Sequence, residues 1–417
     1  MRQSKNFTKA TKEIPKDETS FNAQTLIRAG FIDKLAAGVY TYLPYGLRVL
    51  TKISQIVREE MDKIGGQELL MPALNPKENW EKTDRWGTFD ALFKIGNSSD
   101  SKEYTLAPTH EEIVTPLAQK HVFSYKDLPI YPYHIQTKFR NEKRAKAGLI
   151  RGREFLMKDL YSFHVDEDDL NNFYLNAQKA YFKIFERCGL LDMTYLTYAS
   201  GGSFSKYSHE FQTVAEAGED TIYICEDCSI AVNSEIIEDQ KGGCPNCDNK
   251  KLKQEKAVEV GNIFKLMTKF SSAFGLEFTD EEGKKNPVIM GCYGIGPSRI
   301  MGTVVEVHHD DRGIIWPAEL SPFKVHLIEV KSDNKEVREE AEKIYEELVN
   351  KDIEVLYDDR ELSAGAKFAE SDLIGCTFRV VVSEKTIKKN GYEFKRRDSE
   401  KSEILSKEEL VDKILIA

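Results

Sequence analysis

The chain has 417 residues, 41% apolar and 31% charged, with a formal net charge of −10 and a mean hydropathy of −0.47. That length exceeds a single core and predicts two or three domains; no apolar run of about 18 residues exists, which excludes a membrane-spanning helix. The polar opening MRQSKNFTKATKEIPKDETS lacks a signal-peptide core, and the negative balance argues against a chain coated in nucleic acid while leaving room for local basic patches.

Residues 46 to 64 place Leu50, Ile53, Val57, Met61 and Ile64 on one helical stripe. Gly65-Gly66 ends that helix, and Gln67 to Met71 reads as a strand closed by Pro72. The pair suits either an interior helix or an edge that meets a second copy. Tyr104 to Glu112 is a short strand entering a helix. There Thr109 and Glu111, a hydroxyl beside a carboxylate, suit a charge-assisted hold on an ammonium group or simple helix capping.

Gln136 to His164 predicts an antiparallel hairpin. One strand ends at Phe139 and Arg140, a basic loop follows (Lys143, Arg144, Lys146, Arg151 and Arg153, with Gly148 and Gly152), and a second strand runs from Glu154 to Phe163. Arg140 offers paired donors to a phosphate or carboxylate. Glu142 offers an acceptor for an exocyclic amine, and Phe155 a flat apolar face for a base. Together they suit a nucleoside triphosphate; a solvated basic tip is the alternative.

Asp166 to Cys188 predicts a helix with Phe173, Ala177, Tyr181 and Ile184 inward. A strand (Met193 to Tyr198), the turn Gly201-Gly202-Ser203 and a strand from Ser205 to Val214 follow, the last with Glu210 and Gln212 on one side. Cys225, Cys228, Cys244 and Cys247 have the Cys-x2-Cys-x15-Cys-x2-Cys spacing of a four-thiolate zinc site. Such a site has no open coordination position and is structural; unligated reduced cysteines are the alternative. With four of seven cysteines in two such pairs, a reducing, cytoplasmic setting is expected.

Glu259 to Leu266 predicts a strand, followed by a helix from Thr268. Val288 to Tyr293 predicts a strand packed against a helix that starts near Pro297, whose first turn presents Arg299 where a phosphate could sit. Gly291, Gly294 and Gly296 do not make a dinucleotide fingerprint, because no βαβ unit with a downstream acid accompanies them. Beyond Pro317 the pattern changes to strand 324–330, helix 335–350, strand 353–357, helix 363–374 and strand 378–382, a separate α/β domain with its boundary at 316–323. Near its end, Lys385, Lys388, Lys389, Lys395, Arg396 and Arg397 surround Tyr392 and Phe394, which suits a stacked single-stranded base or a solvated hairpin.

In this order LPYGLRVLTKISQIVREEM with LLMPAL, TLAPTHEE, FRNEKRAKAGLIRGREFLMKDLYSFH, GGSFS with SHEFQ, EVGNIFKL, GCYGIGPSR, DDRGIIWP and GAKFAESDLIG resemble the class II aminoacyl-tRNA synthetases. Within that class the chain resembles the bacterial-type prolyl-tRNA synthetases over nearly its whole length. The resemblance implies an α+β catalytic domain on an antiparallel sheet (residues 1–317), a zinc-ribbon-like insertion (221–256) and an α/β anticodon-binding domain (323–417). It also implies a homodimer and a two-step reaction, in which proline and ATP give prolyl-adenylate before transfer to the 3′ end of tRNA(Pro).

By the same resemblance, Arg140 bridges the proline carboxylate and the α-phosphate, and Arg299 holds the outer phosphates with adenine between it and Phe155. Arg151 adds a phosphate contact and Glu142 takes the adenine amine. Mg²⁺ accompanies ATP, with Glu210 a ligand and Gln212 near the nucleotide. Thr109 and Glu111 each accept one hydrogen of the secondary ammonium, Phe163 and His164 wall the ring, and Gly201 to Ser203 floor it.

Two departures stand out. The span from His164 to Gly291 has no room for the large editing domain that relatives often carry. Alanine fits a proline pocket and a few methylenes discriminate only modestly, so alanyl-tRNA(Pro) is expected to be made and left uncleared. Pro297 replaces the usual small aliphatic residue at a helix start that tolerates it. A non-catalytic paralogue is the competing reading, and the presence of Arg140, Glu142 and Arg299 counts against it. Threonyl specificity would need an open zinc position that four cysteines do not provide.

Overall fold

Alternating strand-forming runs between Gln67 and Ile295 build a nine-stranded, mostly antiparallel sheet in the computed structural model. The structure describes residues 1–417 except Lys12, Asn97, Ser98, Ser203, Phe204, Ser205 and Ala417. The strands are β1 (Gln67–Glu68), β2 (Pro132–Phe139), β3 (Glu154–His164), β4 (Thr194–Ser200), β5 (Tyr207–Val214), β6 (Asp220–Cys225), β7 (Ile230–Asn233), β8 (Lys253–Met267) and β9 (Ile289–Ile295). Their order across the sheet is β5-β4-β7-β6-β8-β9-β3-β2-β1, and β5 pairs again with β8. The hairpin expected around Arg140 is present, with Tyr133 opposite Leu160 and Phe139 opposite Glu154. The strand expected over 67–71 is shorter, pairing in parallel with β2 only at Gln67 and Glu68.

Side chains alternate between the two faces of a strand. On β3, Phe155, Met157, Asp159 and Tyr161 therefore share one face, and Lys158, Leu160, Ser162 and His164 share the other. Helix α1 (Glu111–Ala118) enters beside the first face. Helix α2 (Glu167–Arg187) covers the second, burying Phe173, Ala177, Tyr181 and Ile184 as its periodicity predicts; its N-cap Asp166 accepts from the Asp169 N–H at 2.8 Å. After β9, helix α3 (Pro297–Val307) starts at the predicted proline.

The cysteine segment lies in the zinc-ribbon-like insertion expected at 221–256 within the catalytic domain. Strand β6 pairs antiparallel with β7 and β8, while β7 pairs in parallel with β4. The driving force is apolar: Ile222, Ile224, Ala231 and Ala257 bury together. The insertion is thus sewn into the main sheet.

These residues belong to one compact unit (residues 35–39 and 53–303); residues 1–34, 40–52 and 304–417 form the other. The second unit holds β10 (Val325–Glu329), α4 (Lys335–Asn350), β11 (Val355–Asp358), α5 (Ala364–Ile374), β12 (Phe378–Val382), β13 (Tyr392–Arg396), β14 (Ser402–Leu405) and α6 (Lys407–Ile416). Strand order is β11-β10-β12-β13-β14, parallel through the first three and antiparallel after them. The α4 stripe Val337, Ala341, Ile344 and Leu348 faces this core.

Two expectations fail here. The N-terminal residues do not join a 1–317 unit: Arg2 bridges Tyr357 in parallel and pairs with Glu342 at 2.5 Å, and the Met1 amino group donates to the Val355 carbonyl at 2.7 Å. Nor do Tyr392 and Phe394 offer faces to a nucleic acid, because both lie in the apolar core. Arg397 is spent on Asp310, at 2.6 and 2.8 Å, which leaves Lys385, Lys388, Lys389 and Arg396, the last paired with Asp398 at 2.8 Å, as the exposed remnant of that basic patch.

Among the described residues no helix is long and apolar enough to cross a membrane. Gly375, which caps α5, has φ +79°, and an added Cβ would stand 2.2 Å from the Ile314 carbonyl oxygen. Gly375→Ala is therefore expected to cost at least about 2 kcal/mol, through left-handed strain and the clash together, read as a lowered melting temperature.

Candidate active site

Two cavities open on the β2–β3 hairpin, and Arg140 lines both. The first is walled by Thr109, Glu111, Met157, Asp159, Tyr161, Asn262, Phe264, Tyr293 and Gly294, with Arg85 and Phe89 closing it. Its acid is set in place by neighbours. Thr109 Oγ1 donates to Glu111 Oε2 at 2.6 Å, which leaves the hydroxyl lone pairs to accept. Arg85, buried, donates from Nη1 to Glu111 Oε2 at 3.2 Å and to Glu112 Oε1 at 2.8 Å. Burial pushes Glu112 up to about 7, against the pull of Arg85. One guanidinium thus serves two carboxylates, and Glu111 is the one that faces the cavity. Helix capping is not the role of Thr109, since the cap position falls on His110.

The second cavity is lined by Arg140, Glu142, Leu149, Ile150, Arg151, Phe155, Glu219, Asp220, Glu259 and Arg299, among others. The Arg140 guanidinium lies 5.3 Å from the Phe155 ring centre, and its Nη2 donates to the Pro108 carbonyl at 3.5 Å. Burial, and then the Arg299 charge, lower the Arg140 pKa; two cations facing one space favour an anion between them. Arg299 is held by the carbonyls of Ile150 (2.9 Å) and Glu259 (2.5 Å) and by the Glu259 carboxylate at 3.1 Å. Arg151 spans Glu142 at 3.0 Å and Glu219 at 3.1 Å, so the residues expected at phosphate and base are tied to each other across the loop.

Beside this cavity, Gln212 Nε2 donates to Glu210 Oε2 at 2.9 Å and to Asp220 Oδ2 at 2.7 Å. Burial, reinforced by Glu259, pushes Glu210 up to about 8, and burial also raises Asp220. Three acids crowded in this way are suited to a divalent cation.

The four cysteine sulfurs lie within 4.8 Å of one another. Cys225 and Cys247 are 3.7 Å apart, near the edge of about 3.8 Å that Zn–S bonds of about 2.3 Å give a tetrahedron. The Asn246 N–H donates to Cys244 Sγ at 3.4 Å, as a thiolate ligand favours. The donor set fits zinc.

Some predicted residues lie elsewhere. Phe163 is on the cavity face of β3 but one step beyond Tyr161, buried against Val114, Leu266 and Val288. His164 is on the opposite face, its Nδ1 2.7 Å from Asp169 and its ring beside Phe173. Neither walls the cavity; Tyr161 and Phe264 do. Gly201 sits in the β4–β5 turn, outside the lining, and Ser203 lies outside the described residues.

Residues 93–308 match the tRNA synthetase class II core domain (G, H, P, S and T), and residues 324–415 match an anticodon binding domain. The chain is 34% identical to a proline–tRNA ligase of Dehalococcoides mccartyi, over all of this chain and 98% of that protein. It is 33% identical to one of Moorella thermoacetica, over 93% of each, and 32% identical to one of Citrifermentans bemidjiense, over all of this chain and 99% of that protein. This chain belongs to the proline–tRNA ligase family. The Dehalococcoides alignment runs over 563 positions against 417 residues here, so that relative fills many positions that this family member does not.

Arg85, Asp159, Tyr161, Asn262 and Phe264 escaped sequence reasoning. The period-2 run Phe155, Met157, Asp159, Tyr161 carried the signal for two of them. Arg85 comes from a four-residue helix (Arg85–Thr88), and no local pattern announces it.

Because the fold favours the protonated form of Glu210, its contribution to stability is complete below the ordinary value of 4.5 and is lost as pH rises through about 8. Melting temperature is expected to fall less steeply across that window in Glu210→Gln than in the parent chain.

Proposed function

We propose that this protein activates L-proline with ATP, forming prolyl-adenylate and pyrophosphate, and then transfers the prolyl group to the 3′ end of tRNA(Pro). The observation that carries this reading is Arg140, whose side chain lines both the Thr109–Glu111 cavity and the Arg299–Phe155 cavity. In the first step a carboxylate oxygen of proline attacks the α-phosphorus while the bond to the pyrophosphate oxygen breaks. Two anions must meet, so the work is alignment and charge neutralisation. Arg140 touches both partners, and Arg299 holds the outer phosphates with adenine between it and Phe155. Glu142 takes the adenine amine, and Arg151 follows the phosphates once released from its acid partners. No covalent enzyme intermediate or dedicated base is required. In the second step the terminal tRNA hydroxyl attacks the prolyl carbonyl and AMP departs.

Thr109 and Glu111 give the two hydrogens of the proline ammonium an acceptor each. Mg²⁺ bound with ATP screens the phosphates; Glu210, near Gln212, Asp220 and Glu259, is suited to hold it. Zinc on Cys225, Cys228, Cys244 and Cys247 would fix the turns of β6 and β7. The basis for a homodimer is the exposed apolar pair Leu70 and Leu74, 74% and 47% accessible, next to the first signature. Cysteines with no disulfide among the described residues support a cytoplasmic setting. Residues 323–417 would read the anticodon, in line with their domain match. The alignment positions left unfilled support a chain without its own editing domain.

Amino-acid-dependent ATP–pyrophosphate exchange tests the reading. Strong exchange with proline, weaker exchange with alanine and none with serine or threonine are expected; no exchange with any of the four would overturn it. Glu111→Gln is expected to raise the proline KM about 100-fold, by leaving a buried donor without its acceptor. Purified protein is expected to contain about one zinc per chain, released to a chromogenic chelator when thiols are modified and reduced in Cys228→Ser.

A further inference from the structure

Beneath the amino-acid cavity a buried ammonium holds three acceptors. Lys138 Nζ lies 2.5 Å from His110 Nδ1, 2.7 Å from His134 Nε2 and 2.7 Å from Asp159 Oδ2. A protonated lysine has three hydrogens, one for each, when His110 Nδ1 and His134 Nε2 (itself 3.2 Å from Asp159 Oδ2) carry no hydrogen, which requires both imidazoles to be neutral. Burial supplies that condition, lowering His110 to about 4 and His134 in the same direction. His110, His134, Lys138 and Asp159 are all buried; Asp159 lines the cavity, and the other three stand behind its lining.

The cage connects to the cavity through two routes that converge on one turn. His110 lies between Thr109 and Glu111. Its N–H donates to Tyr161 Oη at 2.9 Å, and its Nε2 is 3.1 Å from the Pro72 carbonyl. Tyr161 in turn donates to Asp159 Oδ2 at 3.0 Å, so Asp159 turns the hydroxyl hydrogen towards itself and leaves the oxygen to receive His110. The ring, the backbone and the far nitrogen of His110 are each fixed by a different partner. Lys138 also stands on β2 two residues before Arg140, which follows the strand's last residue, Phe139.

We propose that Lys138 is a positioning residue for amino-acid recognition: through His110 and the Asp159–Tyr161 pair it sets the placement of Thr109 and Glu111. The inference rests on the proline reading above. A lysine that merely neutralised Asp159 would affect folding and leave substrate preference alone. A positioning lysine affects the amino-acid side of the reaction selectively.

Proline-dependent ATP–pyrophosphate exchange on the full chain, with melting temperatures measured in parallel, separates the two. Lys138→Met is expected to raise the proline KM about 10- to 100-fold while the ATP KM stays within about 3-fold. The double variant Lys138→Met/Asp159→Asn removes the stranded carboxylate, so its melting temperature recovers while its proline KM stays high. His134→Asn changes a cage residue that is outside the cavity lining, and it carries the test alone if the lysine variants do not fold. It is expected to raise the proline KM about 3- to 10-fold with ATP again unaffected. A proline KM that returns to the parent value in the double variant, that is unchanged in His134→Asn, or that moves together with the ATP KM would overturn the positioning role. Absence of proline-dependent exchange in the parent chain would instead overturn the functional reading.

Discussion

A buried guanidinium shared by two carboxylates is the interaction on which the amino-acid cavity depends. Arg85 reaches Glu111 and Glu112 from one nitrogen, deep enough that water does not screen it. Without Arg85 two acids in one dry space could not both ionise. With it, burial brings Glu112 up to about 7, and Glu111, fixed further by Thr109, is left towards the substrate. Such an arrangement suits an ammonium group, because a buried acceptor rejects a ligand with nothing to donate.

The nucleotide side uses the opposite charge logic. Arg140 and Arg299 disfavour each other while no anion separates them, and Glu142, Glu219 and Glu259 occupy the guanidiniums around them. A triphosphate would exchange those acids for phosphate oxygens and relieve the repulsion. Arg140 lines both cavities, and on the proposed reading it would bring two anions to one cation, where their approach becomes favourable.

Much of this could be read from the chain. Amphipathic spacing gave α2 and α4 with their buried residues, and the alternation in 324–382 gave the parallel core of the second unit. The hairpin is present, the four cysteines come together, and Thr109, Glu111, Arg140, Phe155 and Arg299 line the two adjoining cavities. The failures have physical causes. His164 follows the cavity residues in sequence but points to the other face of its strand. Phe163 has the right face and is covered by another core. Tyr392 and Phe394 look like a stacking platform among basic residues, yet they supply the apolar side of an antiparallel hairpin. Arg85 and the Lys138 cage exist only through tertiary contacts, and the pairing of Met1 and Arg2 with β11 spans more than 350 residues of chain.

The account's central claim is that the cavity recognises a ring nitrogen through Thr109 and Glu111. The most direct measurement is competition of cyclopentanecarboxylate, which has the ring and the carboxylate but no nitrogen, against proline in ATP–pyrophosphate exchange. A site whose Thr109 and buried Glu111 oxygens would receive no hydrogen from the ligand is expected to bind it about 10⁴-fold more weakly than proline. Inhibition at concentrations close to the proline KM would contradict the account, since shape and carboxylate alone would then suffice.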